Sequence, residues 1–365
     1  MKKIPFLDLK KVHYEIQSDI NASIKDVANS GYYLLNKNLS KFEESYSKFE
    51  KVNHVIGVGS GLDALMMILL ALNIGKGDEV IVPSHTFIAT WIAVFKIGAI
   101  PVPVEPNENT YNINHKLIEN AITPKTKAVL VVNLYGQIAD LKPIRNICDK
   151  HKLFLLEDAA QSQGANFNGI PPSTFSHAAA TSFYPAKNLG CMSDGGAVLT
   201  NDLKIARSVK RLRNYGSEKK YEHSEIGFNS RLDEIQSAIL SIKLKHLKIM
   251  NLKREKIANF YNKNLSTKNL ILPYKLDYVD HVWHLYVIRC QNRDYLQKKL
   301  YEAGIQTIIH YPIPPYKQKC FEKMNFKGSK LTDKICDEIL SLPLYPNMPE
   351  SDYEYIVSKV NKYSS

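Results

Sequence analysis

The sequence contains few cysteines, and none of them stands at the spacing of a metal site. Five cysteines occur among the 365 residues, and they are Cys148, Cys191, Cys290, Cys320 and Cys336. An odd, scattered set without a Cys-x-x-Cys pair excludes a disulfide framework and a structural zinc site. We therefore expect no bound metal and a reducing, cytoplasmic environment for the protein.

Long apolar runs and long basic runs are also lacking. The longest strongly apolar run, Ala64 to Leu72, is far shorter than the roughly 20 residues that cross a bilayer, and no signal peptide precedes it. The formal net charge is +12, but lysine and arginine are spread along the chain and form no nucleic-acid motif. We expect neither a membrane nor a nucleic-acid partner. A nucleic-acid binder is kept as an alternative that rests on net charge alone.

Short apolar runs alternate with helical stretches between about residues 51 and 200. The runs include Val55 to Val58, Glu79 to Val82, Ala128 to Val132 and Leu153 to Leu156. Runs that are apolar throughout and separated by helices are typical of an α/β fold, a mainly parallel sheet with helices on both faces. Ligands bind such sheets at the carboxyl ends of their strands, so we expect the functional residues in the turns that follow these runs.

The pattern changes after about residue 202. A long helical stretch begins at Asp233, and strands are predicted at Trp283 to Ile288 and at Ile305 to Tyr311. These features predict a smaller α+β unit at the C-terminus. We place the boundary near residue 250, which gives a large ligand-binding domain over 1–250 and a small domain over 251–365.

Lys187 and Asp158 are the residues that first suggest a chemistry. Lys187 lies on a loop after a β-rich stretch, and Asp158 closes the apolar run that ends at Leu156. Pyridoxal phosphate needs a lysine that forms a Schiff base and a carboxylate that keeps the pyridine nitrogen protonated. The alternatives are a solvated surface lysine, and an aspartate that caps a helix or forms a loop salt bridge.

Four further features fit the same cofactor. The Gly61-Leu62 helix start offers free backbone N–H groups to a phosphate, and Ser182 offers a hydroxyl. Gln161 would form a hydrogen bond with the hydroxyl group of the cofactor ring, and the Phe87 side chain would stack on that ring. Three of them have an ordinary alternative: many helices start with small residues, Gln161 would fit an exposed helix face, and Phe87 would fit a hydrophobic core.

Motifs along nearly the whole chain occur in an order that is highly specific. They are Phe6 to Leu9, Gly31 to Tyr33, Gly57 to Leu65, Pro83 to Phe87, Glu157 to Gln161, Ser182 to Gly190 with Asp194 to Gly196, Gly227 to Asp233, and His284 to Tyr286. In this combination the chain resembles the DegT/DnrJ/EryC1/StrS family of sugar aminotransferases that depend on pyridoxal phosphate.

The resemblance implies a fold-type I aminotransferase that works as a homodimer. It also implies a role for each matching residue: Lys187 as the Schiff-base lysine, Asp158 as the pyridine partner, Gln161 as the ring-hydroxyl contact, Phe87 as the stacking ring, and Ser182, Gly61 and Leu62 as phosphate contacts. Asn229 is implied to reach the cofactor phosphate of the neighbouring subunit, so that the active sites are shared. Taken alone, Asn229 would fit the N-terminal side of the next helix.

Two residues indicate the reaction within the family. Lysine at 187, where dehydratases of the family carry histidine, favours transamination, and Tyr184 resembles the branch that acts on 3-keto sugars. The implied reaction moves an amino group from L-glutamate to the 3-keto carbon of a dTDP-linked 6-deoxyhexose, for a surface glycan. Ala186 departs from the glycine of that branch. A 4-keto sugar or a UDP-sugar as substrate, and a non-catalytic regulatory protein that binds the cofactor, are the alternatives.

Several tyrosines and histidines are candidates for binding the sugar nucleotide. They are Tyr32, Tyr33, His85, Tyr184, His284 and His310. For each histidine a structural role is an equal alternative. The tyrosines would also fit the interface of a dimer.

Overall fold

Seven strands form the main sheet of the protein. The computed structural model describes residues 2–364. Within them, the strands of this sheet are β1 (His54–Val58), β2 (Glu79–Pro83), β3 (Ile100–Val104), β4 (Thr126–Val132), β5 (Phe154–Asp158), β6 (Ala178–Ser182) and β7 (Gly196–Thr200).

The strand order is β1-β7-β6-β5-β4-β2-β3. In this described sheet only β7 runs against its neighbours, β1 and β6. The pairs from β6 through β5, β4 and β2 to β3 are parallel. The predicted mainly parallel sheet of an α/β fold is therefore confirmed.

Helices cover both faces of the sheet. The first nine in the chain are α1 (Leu9–His13), α2 (Gln17–Ser30), α3 (Lys37–Glu50), α4 (Gly61–Ala71), α5 (Ala89–Lys96), α6 (His115–Ile118), α7 (Leu141–His151), α8 (Leu203–Leu212) and α9 (Glu234–Asn264). Neighbouring residues of one strand enter different cores: Val80 packs with α4 and α5, whereas Ile81 packs with α7. Burial on both faces explains why the strands are apolar throughout.

The C-terminal part of the chain has a core of its own. It contains α10 (Arg293–Glu302), α11 (Lys330–Glu338) and α12 (Glu350–Tyr363), with β10 (Tyr286–Arg289) paired antiparallel to β11 (Ile339–Leu342). Its buried cluster joins residues from Ile257 onward with Ile4. The expected boundary near residue 250 lies within the 31-residue helix α9, and the division at that residue stays a prediction.

The strand predicted at Ile305 to Tyr311 is wrong. This segment makes two isolated bridges, from Ile305 to Ile4 and from Ile308 to Ser341, and no continuous ladder. Its first residue pairs with Ile4 and a later residue pairs with Ser341, so neither pairing is long enough to form a strand. A short hairpin that the sequence did not predict, β8 (Ser217–Lys219) with β9 (Glu222–His223), precedes α9.

Strand register brings the ends of three strands together. Asp158 at the end of β5 pairs with Ala180 of β6. Ser182 at the end of β6 pairs with Gly196 of β7, which also pairs with Val58 at the end of β1. The residues that follow Val58, Asp158 and Ser182 therefore meet at one edge of the sheet, as the sequence predicted.

Candidate active site

Asp158 is a buried carboxylate at this edge. The Thr90 hydroxyl donates to Oδ2 at 2.8 Å and the Ala160 backbone N–H donates to Oδ1 at 3.2 Å. Burial raises the pKa of Asp158 above its usual value, and these two hydrogen bonds and the Lys187 cation offset part of that rise. The bonds stabilise the ionised form inside the fold, which is the state needed to hold a protonated pyridine nitrogen.

Thr90 is a contact of Asp158 that sequence reasoning missed. It lies on α5, and its hydroxyl also contacts the Thr86 hydroxyl at 3.2 Å. Because α5 follows β2 and Asp158 ends β5, the contact depends on the packing of distant elements. The Pro83 to Phe87 motif just before α5 is the only nearby signal in the sequence.

Lys187 lies in a tight, half-buried loop, and its charge interacts with that of Asp158. Its backbone N–H donates to the Tyr184 carbonyl at 2.8 Å. A Cβ at Gly190 would lie 2.6 Å from the carbonyl oxygens of Tyr184 and Pro185, so the loop closes only with glycine there.

The side-chain amine of Lys187 has no hydrogen-bond partner within residues 2–364. Burial lowers the pKa of Lys187 to about 8, while Asp158 acts to raise it. A lysine with this pKa has a neutral fraction near physiological pH, and only the neutral amine is a nucleophile.

The start of α4 fits an anionic group. The Ser60 side chain caps the helix by accepting from the Asp63 N–H at 3.1 Å. The N–H groups of Gly61 and Leu62 find no acceptor in the described part of the chain. A Cβ at Gly61 would lie 2.7 Å from the Cβ of Ser182, so glycine lets the helix start reach this hydroxyl. Free N–H groups at a helix start attract a phosphate.

Gln161 and Phe87 both contact Tyr311. The Tyr135 N–H donates to Gln161 Oε1 at 2.7 Å, and Gln161 Nε2 donates to the Tyr311 hydroxyl at 3.1 Å. The Phe87 ring is half exposed and lies 5.3 Å from the Tyr311 ring. Tyr311 is thus a neighbour of the site that the sequence analysis did not single out. The ring contacts predicted for Gln161 and Phe87 stay predictions.

His85 is placed differently from the other histidines. It is buried, with Nε2 at 2.7 Å from the Tyr135 hydroxyl and Nδ1 at 3.7 Å from the Cys336 sulfur. Burial lowers the pKa of His85 to about 4. Both ring nitrogens contact protein, which fits a packing role better than a contact with substrate.

His284 and His310 lie in the electrostatic field of Lys187. Their Nδ1 atoms contact Asn188 Oδ1 at 3.1 Å and Ser341 Oγ at 2.9 Å, respectively. Burial and then the Lys187 cation lower the pKa of both histidines, that of His310 to about 4. The charge of Lys187 thus acts on both rings, and His284 also contacts Asn188, the residue that follows the lysine.

The remaining predicted residues lie on the surface. Tyr32, Tyr33 and Tyr184 are 67%, 53% and 54% exposed. Asn229 is exposed, and its Oδ1 accepts from Arg231 Nη2 at 2.6 Å. In a single chain Asn229 does not join the buried site, and its predicted reach into a neighbouring subunit stays a prediction.

The donor set fits pyridoxal phosphate. Lys187 would carry it, Asp158 would hold its ring nitrogen, and Gly61, Leu62 and Ser182 would hold its phosphate. The unbonded Lys187 amine and the unsatisfied N–H groups of the α4 start support this fit. Fold and site together define a pyridoxal phosphate enzyme of the aminotransferase class.

Comparison with known proteins gives the family. The model of the DegT/DnrJ/EryC1/StrS aminotransferase family matches residues 14–361, and the chain belongs to this family. The predicted aminotransferase class and its cofactor, pyridoxal phosphate, are confirmed. No helix within residues 2–364 has the length and apolar character needed to span a membrane.

Three similar proteins cover almost the whole chain. The dTDP-3-amino-3,6-dideoxy-alpha-D-galactopyranose transaminase of Aneurinibacillus thermoaerophilus is 46% identical over 99% of both chains. The erythromycin biosynthesis sensory transduction protein EryC1 of Saccharopolyspora erythraea is 45% identical over 97% of this chain and 98% of its own. The crystal structure of S. venezuelae DesV in complex with a ketimine intermediate has a TM-score of 0.98 and 42% identity, covering 100% and 99% of the two chains.

Proposed function

We propose that this protein transfers an amino group from L-glutamate to the 3-keto carbon of a dTDP-linked 3-keto-6-deoxyhexose. The product would be a dTDP-3-amino-3,6-dideoxyhexose. The observation that carries the proposal is the unbonded Lys187 amine beside the buried Asp158 carboxylate. The similarity to a dTDP-3-aminosugar transaminase over nearly the full length supports the substrate class.

Each group of residues in the site would have its own role in this reaction. When bound, the cofactor supplies an electron sink for the carbanion formed next to nitrogen. Asp158 holds a proton on the ring nitrogen, and the N–H groups at the α4 start bind the phosphate. Nζ of Lys187 accepts and returns the proton at the reacting carbon, since its lowered pKa of about 8 suits both directions.

The reaction would run in two halves. Glutamate leaves its nitrogen and departs as 2-oxoglutarate, and the ketosugar then collects the amine. Tyr184 is exposed three residues before Lys187, a position from which its phenol would meet the sugar. This supports the proposal that Tyr184 distinguishes a 3-keto from a 4-keto sugar.

We also propose that the protein acts as a homodimer with shared sites. Residues 32–35 form a run of four exposed large hydrophobic side chains, and Asn229 is exposed on a separate loop. Such a run is typical of a protein interface. The cytoplasmic location and the use of the product in a surface glycan stay predictions.

The test is an incubation with glutamate and paired nucleotide ketosugars, followed by mass analysis. The 3-keto and 4-keto forms of a dTDP-6-deoxyhexose, and a UDP-linked 3-keto sugar, are compared at equal concentration. We expect amine formation on the dTDP-3-keto substrate. Product from the 4-keto substrate alone would contradict the proposed carbon, and preference for the UDP-sugar would contradict the nucleotide.

A separate observation distinguishes an enzyme from a regulatory binder of the cofactor. We expect glutamate alone to convert the bound cofactor to its amine form, seen as a change in its absorbance. A protein that holds the cofactor and never makes this conversion would act as a regulator instead. Lys187→Ala serves as the inactive control in both measurements.

A further inference from the structure

Asn188, next to Lys187 in the chain, is almost completely buried and fully hydrogen-bonded. It is 9% exposed. Its Nδ2 donates to Asn251 Oδ1 on α9 and to the Val282 carbonyl, both at 2.9 Å. A carbonyl only accepts hydrogen bonds, so the atom facing Val282 must be the amide nitrogen. This contact fixes the orientation of the Asn188 amide.

The same orientation fixes a histidine tautomer. The other end of the amide, Oδ1 of Asn188, lies 3.1 Å from Nδ1 of His284. An amide oxygen carries no hydrogen, so Nδ1 of His284 must donate in this bond. In a neutral imidazole the proton then sits on Nδ1, and Nε2 presents a bare lone pair.

The surroundings keep this imidazole neutral. Burial lowers the pKa of His284 well below its usual value, and the groups that lower it further are Lys187, Arg254, His310 and His281. Within residues 2–364, Nε2 of His284 has no hydrogen-bond partner, and it is not among the unpartnered side-chain atoms that are shut off from the surface. Nε2 is therefore a free acceptor on a ring that is bonded to Asn188, the neighbour of Lys187 in the chain, and that lies in the electrostatic field of Lys187.

We propose that Asn188 is a positioning residue that holds His284 in the Nδ1–H tautomer, so that Nε2 accepts a hydrogen bond from the protonated Nζ of Lys187 whenever that amine is free. The two nitrogens are not hydrogen-bonded in the structure, so the lysine side chain must turn toward His284. The bond would keep the released amine within the site until the next transfer. This inference rests on the proposed role of Lys187 in transamination.

The first test reads the tautomer directly in the wild-type protein. The holoenzyme, converted by glutamate to its amine form and labelled with nitrogen-15 in its histidine rings, is examined by NMR. His284→Gln identifies the His284 signals. We expect a neutral ring with the proton on Nδ1. A proton on Nε2 would overturn the inference, whatever the variants below do.

The second test compares two substitutions in the same network. Asn188→Leu removes the bond to His284, whereas Asn251→Leu removes an anchor of Asn188 and leaves that bond. We expect Asn188→Leu to lower kcat by about tenfold to a hundredfold, the range for a misplaced catalytic group, with KM for glutamate little changed. Asn251→Leu should stay within about threefold of wild type. Equal losses in both variants would mean that Asn188 is only structural.

The two proposals fail in different ways. A wild-type protein that transfers no amine to any ketosugar would contradict the proposed function. A protein that transfers amines but carries the His284 proton on Nε2 would leave that function intact and contradict the role of Asn188. Thermal unfolding of both variants checks that each retains its fold.

Discussion

The half-buried Lys187 and the buried Lys243 are two lysines with a lowered pKa, and they differ in what their amines contact. Burial lowers the pKa of each to about 8. Lys243, on α9, donates to the Gly190 carbonyl and lies 3.0 Å from Nε2 of His13. The amine of Lys187 has no hydrogen-bond partner in the described part of the chain.

This difference distinguishes a lysine that stabilises the fold, Lys243, from a lysine whose amine is free to react, Lys187. Gly190 ends the loop that carries Lys187, so Lys243 ties this loop to α9 and, through His13, to α1. His13 is neutral because burial lowers its pKa to about 4, and its ring can accept from the lysine. A lowered pKa is common to both lysines and therefore does not single out the proposed catalytic lysine; an unsatisfied amine near a carboxylate distinguishes Lys187.

The largest expected effect comes from removing the free amine. Lys187→Ala should lower turnover by about 10⁴-fold, because no other group would transfer the proton. Its unfolding midpoint should stay near that of wild type, since the amine holds no other part of the fold. Steady-state kinetics and thermal unfolding measure both. Turnover within tenfold of wild type would remove the distinction between the two lysines.

Asp158→Asn should have the next largest effect. The amide keeps the shape of the carboxylate and its contact with Thr90, but it cannot balance a protonated pyridine nitrogen. We expect kcat to fall by about 10² to 10³-fold, which is the usual loss when one group that stabilises charge in the transition state is removed. A matched control is Glu157→Gln, a buried neighbour bonded to Asn133 and Ser176 instead. If Glu157→Gln lost as much turnover, the identity of the pyridine partner would be wrong.

Lys243→Met should act on stability. The Gly190 carbonyl and the His13 ring would lose their partner, at a cost of about 1–3 kcal/mol in the free energy of unfolding. Turnover of the folded variant should fall less than about tenfold. Urea unfolding at pH 10 and steady-state kinetics provide the two numbers. A variant that is fully stable and inactive would reverse the roles of the two lysines.

The pH dependence of stability gives the most specific effect. The pKa of Lys243 is about 8 in the fold against the usual 10.5, so the unfolded chain binds more protons between these values. The free energy of unfolding should therefore rise with pH across this window, by at most about 1.4 kcal/mol per pH unit relative to Lys243→Met. Parallel stability curves for the two proteins would contradict a buried, bonded amine at position 243.

The main elements of the site were predictable from local sequence. Asp158, Ser182 and the Gly61 helix start each follow an apolar run, and parallel strands bring such ends to one edge. The loop position of Lys187 after a strand suggested its Schiff-base role, and the family resemblance implied the same role. These predictions rest on residues that lie within a few positions of a strand end, where the sequence carries direct information.

Contacts between distant segments were not predictable. Thr90, Asn251 and Tyr311 reach the site through the packing of α5, α9 and the segment before residue 312. The burial of His85 also depends on packing, because its partners Tyr135 and Cys336 come from far along the chain. The Ile305 to Tyr311 segment has the composition of a strand but lacks a continuous partner.

The most direct test identifies the lysine that carries the cofactor. The holoenzyme is treated with borohydride, which makes the link between cofactor and lysine permanent, then digested and mapped by mass spectrometry. We predict the added mass on the peptide that contains Lys187, and unmodified Lys243. Modification at Lys243, or at any lysine other than Lys187, would contradict the account.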